Sequence, residues 1–146
     1  MAQIRRAETT WNGPLATGGG TASAMTSMAF TELPVSWGSR TESADGRTSP
    51  EELLASAHAS CYSMSLSGKL GRNGTPPTKL VVGAAVTFDK LDRWTIVSSA
   101  LTVHGWVEGI DAETFARIAE GTRDNCPVSR ALKGNVELTV MATLET

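Results

Sequence analysis

The sequence predicts a mixed α+β chain, and three observations carry that prediction. Residues 49–52 form a strong helix start, and it opens a long helix rich in small residues. Residues 80–88 and 94–107 alternate apolar and polar side chains and are joined by the short stretch 89–93, which fits an antiparallel hairpin. Short strand-and-turn segments precede this block, and two short helices and a last strand follow it. The order strands, helix, strands, helices, strand is that of an α+β fold.

The elements follow from local chemistry. Residues 6–11 lead as a strand into the Asn12-Gly13-Pro14 turn, and Gly18-Gly19-Gly20 marks a hairpin or bulge. No Gly-Lys-Ser/Thr follows those glycines, so they are not read as a phosphate cradle. A third strand is expected over residues 30–37, then a polar loop over 42–48 that Arg40 and Arg47 flank. Ser49 can N-cap, Pro50 suits the first helical position and Glu52 completes a capping box. The helix is expected to run to residues 68–71. Its most apolar line is Leu54, Ala57/His58, Cys61 and Met64, so Cys61 is expected to face inward. Asp111 caps a helix ending near Gly121, Cys126-Pro127 opens another to about Lys133, and residues 135–144 alternate as a final strand.

Bulk properties narrow the function. The 146 residues are 40% hydrophobic and 19% charged with a net charge of −2, which suits one soluble domain and offers no footprint for nucleic acid. No apolar run is long enough to span a membrane. Met1 to Arg6 has no apolar stretch behind its two arginines, so no secretory signal is expected and a cytoplasmic location is predicted. Thiols stay reduced there, which argues against a static disulfide between the two cysteines. Two cysteines with His58 and His104 do not make a recognised zinc set, so no metal and no cofactor are expected. Inert buried thiols or a redox pair remain.

The two thiols differ locally. Cys126 lies at a helix N-terminus, where backbone N–H groups stabilise a thiolate. Cys61 lies mid-helix, where burial raises its pKa unless a cation reaches it. Glu51 has no structural task once Glu52 has taken the capping box, so it is available for chemistry. Ten residues of continuous helix put it about 15 Å from Cys61. Glu51 and Cys61 would then share a site only across a pair of subunits. His58, one turn before Cys61, reads as a hydrogen-bonded core residue, with a Cys61–His58 hydrolase as the competing reading.

The stretch from Ser49 to Met64, Ser-Pro-Glu-Glu-Leu-Leu-Ala-Ser-Ala-His-Ala-Ser-Cys-Tyr-Ser-Met, closely resembles the signature helix of the OsmC/Ohr family. Asn125-Cys126-Pro127-Val128-Ser129 resembles its second cysteine motif, and Thr10-Trp11-Asn12-Gly13 extends the likeness over nearly the whole chain. The resemblance implies a single OsmC-like domain over residues 1–146, with antiparallel sheets around a central cysteine-bearing helix in an intertwined homodimer. It implies a thiol-dependent peroxidase reducing organic hydroperoxides, and hydrogen peroxide more weakly. Cys61 would become a sulfenic acid, Cys126 would resolve it as a disulfide, and an external thiol reductant, such as a lipoyl-type dithiol, would close the cycle. An arginine would stabilise the Cys61 thiolate, and Glu51 would orient that arginine. Ala57-His58-Ala59 and the lack of arginine at Gly18–Gly20 resemble the OsmC branch, and Arg40 best matches its arginine. One extra residue between Arg40 and the helix keeps Arg47 in contention. The alternative is a redox-sensing or binding domain of the same fold that does not turn over.

Overall fold

The computed structural model describes residues 1–146. It contains two compact units, Met1–Pro50 and Glu51–Thr146.

In the first unit, β1 (Ala7–Asn12), β2 (Gly19–Ala24) and β3 (Leu33–Val35) form an antiparallel sheet in that order. The triple glycine divides its work. Gly18 closes the hairpin, donating its N–H to the Pro14 carbonyl at 2.6 Å. Gly19 and Gly20 already belong to β2. A Cβ on Gly20 would stand 2.3 Å from the Thr10 carbonyl oxygen, so only glycine fits where β2 closes on β1. β3 is shorter than the expected 30–37. Met28 and Glu32 sit in the left-handed region, at φ 56° and 53°, which breaks the strand before it begins. Pro34 donates nothing to the ladder, as suits an edge strand.

Arg40 does not lie in a loop. It sits on a one-turn helix, α1 (Gly38–Thr41), too short to leave a periodic signature. Ser36 and Ser39 exchange side chain-to-backbone bonds, Ser39 N–H to Ser36 Oγ at 3.1 Å and Ser36 N–H to Ser39 Oγ at 3.2 Å. The Thr48 N–H then bonds the Pro34 carbonyl at 2.9 Å and the Ser39 hydroxyl donates to the Thr48 carbonyl at 2.8 Å. These bonds tie down the chain just before the long helix.

That helix, α2 (Pro50–Arg72), starts at the expected proline and is continuous for 23 residues. The second unit adds β4 (Lys79–Lys90), β5 (Trp94–Trp106), α3 (Ala112–Glu120), α4 (Pro127–Leu132) and β6 (Glu137–Glu145). β4 and β5 form the expected hairpin, from Lys79 opposite Trp106 to Lys90 opposite Trp94. The sheet is not wholly antiparallel, however. β6 runs parallel to β5, Ser98 opposite Glu137 through Trp106 opposite Glu145. A parallel neighbour needs a long crossover, and α3 and α4 supply it.

Asp111 caps α3 by accepting from the Thr114 N–H at 2.8 Å, and Gly121 follows its last residue. The end of α3 is tied to α2 by two side chains: the Tyr62 hydroxyl donates to the Ala119 carbonyl at 2.7 Å, and Lys69 Nζ donates to the Gly121 carbonyl. The core gathers Tyr62, Leu66 and Leu70 from α2, Leu101 and Val103 from β5, Phe115 and Ala119 from α3, and Cys126. The buried line on α2 is therefore His58, Tyr62, Leu66, Leu70, at steps of four. The expected line through Met64 is wrong beyond Cys61: Met64 is 70% exposed, and Leu54 and Cys61 are half-buried. Large side chains continue the line after His58, whereas Met64 falls among the serines of the opposite face.

Candidate active site

Asn125-Cys126-Pro127 turns the chain from an extended residue into α4. Cys126 is the N-cap, at φ −68° and ψ 148°, with Pro127 in the first helical turn. Its sulfur takes the place of the usual capping oxygen. The Ser129 N–H donates to Cys126 Sγ at 3.3 Å, and the Ser129 hydroxyl lies 3.0 Å from the same sulfur. Cys126 has no solvent-exposed surface.

Cys61 meets this cap from α2. Its thiol packs against the core that holds Cys126, and both the Cys126 sulfur and the backbone N–H of Val128 are near enough to shift its pKa. The N-terminal turn of α4 thus caps the Cys126 sulfur through the Ser129 N–H and lowers the Cys61 pKa through the Val128 N–H. Burial pushes the Cys61 thiol above its ordinary pKa, the Val128 N–H pulls it back, and the Cys126 sulfur raises it again. Both cysteines are free thiols.

His58 occupies the turn of α2 before Cys61 and is fully buried. Its Nδ1 lies 2.7 Å from Ser99 Oγ on β5, and its Nε2 lies 2.8 Å from Ser129 Oγ on α4. Burial lowers its pKa, which favours the neutral ring. With both nitrogens engaged by serines, the histidine is the hydrogen-bonded core residue expected, and it is not the base of a Cys61–His58 pair. Ser99 and Ser129 were not singled out from sequence. Only Ser129 carried a signal, as the residue three after a capping cysteine, where a free N–H points back at the cap.

The two candidate arginines differ in setting. Arg47 is exposed and paired with Asp45 at 3.4 Å within the same turn. Arg40 lies over the Trp37 ring, 5.4 Å from its centroid. It lines a cavity of about 400 Å³ with Trp11, Leu15, Val35 and Trp37. Glu51, in the first turn of α2, is 7% exposed. Because α2 is unbroken from Glu51 to Cys61, the two stay about 15 Å apart along one helix. The fold of one chain therefore brings Cys61, Cys126, His58 and Ser129 together and keeps Glu51 away from Cys61.

No helix is long and apolar enough to cross a membrane. The OsmC-like protein family matches residues 43–141. Over 139 residues the chain is 38% identical to the peroxiredoxin OsmC of Escherichia coli (strain K12), covering 94% of this chain and 96% of that protein. The peroxiredoxin OsmC of Shigella flexneri matches to the same extent. Among solved structures, the organic hydroperoxide resistance protein OhrB of Bacillus subtilis superposes with a TM-score of 0.70 at 21% identity, covering 96% of this chain and 98% of that one. An OsmC-like protein from Mycoplasma pneumoniae gives 0.71 at 16% identity, covering the whole of both chains. These structural neighbours share the fold. The matched segment contains both cysteines, the cap and the serine beside it, and with the peroxiredoxin relatives it establishes that the chain belongs to the OsmC-like protein family.

Proposed function

We propose that this chain is a cysteine-based peroxidase that reduces organic hydroperoxides through Cys61 and Cys126. Peroxidase activity is what 38% identity to a peroxiredoxin over 94% of the chain supports. The finer mechanism is supported by one observation: within a single chain the Cys126 sulfur is near enough to Cys61 to raise its pKa. The Cys61 thiolate attacks the outer peroxide oxygen, the O–O bond breaks, and the alkoxide leaves as an alcohol once protonated. Cys61 is then a sulfenic acid. The Cys126 sulfur attacks it, the S–S bond forms, and the sulfenic oxygen leaves as water. An external dithiol reduces the disulfide by exchange.

Arg40 is the arginine proposed to hold the Cys61 thiolate, and Glu51 the carboxylate that orients it. The apolar cavity beside Arg40 supports an alkyl rather than a small inorganic peroxide. The distance along α2 supports a homodimer in which Glu51 of one protomer serves Cys61 of the other. Hydrogen peroxide would be the weaker substrate.

The test is rapid mixing of the reduced protein with cumene or tert-butyl hydroperoxide. Fast, stoichiometric loss of the Cys61 thiol, followed by a Cys61–Cys126 disulfide, is expected. Oxidation no faster than that of free cysteine would rule the reading out.

A further inference from the structure

Behind Cys126 lies a buried polar chain that the two-thiol mechanism does not use. Ser99 Oγ is 2.7 Å from His58 Nδ1, His58 Nε2 is 2.8 Å from Ser129 Oγ, and Ser129 Oγ is 3.0 Å from Cys126 Sγ. It starts on β5, passes through α2 and ends at the cap of α4. All four residues have no exposed surface, and no buried side-chain nitrogen or oxygen lacks a partner. Burying four polar groups costs free energy unless each is satisfied, and an apolar set could fill the same space without that demand. The chain of bonds from His58 leads, through the Ser129 hydroxyl, to the Cys126 sulfur, whose proximity shifts the pKa of Cys61.

We infer that Ser129 and His58 carry the proton off Cys126 as it attacks the oxidised Cys61, with Ser129 touching the reacting sulfur and His58 acting as a positioning residue behind it. The inference rests on the resolving role proposed above for Cys126. In the resting arrangement the Cys126 S–H donates to Ser129 Oγ, the Ser129 O–H donates to His58 Nε2, and the His58 Nδ1–H donates to Ser99 Oγ. Attack on the Cys61 sulfenic sulfur forms the S–S bond and breaks the S–O bond. The Cys126 proton passes to Ser129 Oγ, and the Ser129 proton passes to His58 Nε2, which becomes an imidazolium. The hydroxide leaving Cys61 takes the proton that the Ser129–His58 pair gives back and departs as water. Sulfenic acid plus thiol thus becomes disulfide plus water, with no further reactant. Burial disfavours the imidazolium, so the ring returns its proton rather than keeping it.

The experiment separates two single-turnover phases on mixing reduced protein with cumene hydroperoxide: loss of the Cys61 thiol, and formation of the Cys61–Cys126 disulfide. Ser129→Ala and His58→Gln are expected to leave the first phase unchanged and to slow the second by about 10²-fold. Ser129→Thr, which restores the hydroxyl, is expected to recover most of the second phase. The wild-type second phase should also slow in deuterium oxide, a readout that needs no variant should His58→Gln fail to fold. Equal slowing of both phases, Ser129→Thr as slow as Ser129→Ala, a second phase as fast as wild type in both variants, or no isotope effect would each overturn the inference. If the wild-type protein itself formed no disulfide, the resolving role of Cys126 would fall first.

Discussion

The Ser129 amide donates to the Cys126 sulfur at 3.3 Å, so a cysteine does the work that serine, threonine or aspartate usually does at the start of a helix. The residue proposed to resolve the Cys61 sulfenic acid is therefore also a structural cap. Forming a bond to Cys61 would take that sulfur away from its capping geometry.

Cys126→Ser should separate the two tasks. A serine oxygen caps at least as well as a sulfur, so the unfolding free energy is expected to stay within about 1 kcal/mol of wild type. Cys126→Ala leaves the Ser129 N–H without its partner and is expected to cost about 1–3 kcal/mol. Urea unfolding measures both. Each variant should oxidise at Cys61 and stop there, with a mass gain of one oxygen and no disulfide.

The contrast between the two arginines yields a second expectation. Arg47 is paired in an exposed turn, while Arg40 lies over Trp37 beside an apolar cavity. Arg40→Ala is expected to slow Cys61 oxidation by about 10–10²-fold, the loss of one charged hydrogen bond of about 1.5–3 kcal/mol. Arg47→Ala should leave the rate unchanged. Burial raises the Cys61 pKa, so the Arg40→Ala rate should climb further into alkaline pH than that of wild type, because only the thiolate reacts. Thiol alkylation against pH reads this directly. Equal rates in wild type and Arg40→Ala would transfer the role away from Arg40.

His58 should make the fold sensitive to acid. Its folded pKa lies below the ordinary 6.5, because burial penalises the imidazolium. Below about pH 6.5 the unfolded chain binds a proton that the folded chain refuses. The stability due to this residue is therefore present above that pH and lost as the pH falls through the lowered pKa. The urea midpoint is expected to drop between pH 7.5 and 5.5, and His58→Gln should flatten that slope whatever its own stability.

Much of this site was legible because its signals are local. Pro50 at the start of α2, Asp111 with Gly121 around α3, and Cys126-Pro127 at the start of α4 are local signals, and each of these ends falls within two residues of its expected place. Long-range relations were harder to read. The parallel docking of β6 on β5 depends on a crossover through two helices, and alternation in residues 137–145 is the same for either direction. Ser99 and Ser129 are ordinary serines until the fold brings them 2.7 and 2.8 Å from His58. Small residues on α2 also weakened the contrast between its faces, which hid the line through Tyr62.

Gly105 tests the packing that holds β5 against α3. A Cβ there would lie 2.4 and 2.7 Å from atoms of the Phe115 ring, which is fully buried. The ring has no room to withdraw, so Gly105→Ala should cost about 1–3 kcal/mol through overpacking. Gly71, where a Cβ would meet nothing within 4 Å, serves as the control. In the last turns of α2, Gly71→Ala should leave stability unchanged or raise it by up to about 1 kcal/mol. Thermal unfolding of the pair compares them. A Gly105→Ala protein as stable as wild type would show that Phe115 is not held as tightly as its burial implies.

The proposed homodimer gives the sharpest expectation, because Glu51 and Cys61 lie ten residues apart on one unbroken helix. About 15 Å of helix separates them, too far for one carboxylate to orient a cation at that thiol. If Glu51 acts across the interface, Glu51→Ala and Cys61→Ser subunits should complement each other. Each variant alone should be nearly inactive, the first for lack of the orienting carboxylate and the second for lack of the thiol. Co-refolding them yields mixed dimers in which one site has an intact Cys61 from the first subunit and an intact Glu51 from the second. Hydroperoxide turnover should then return to about a quarter of wild type, since half of randomly paired dimers are mixed and each has one whole site. A Glu51 acting within its own subunit would yield no recovery, because no subunit in the mixture carries both residues.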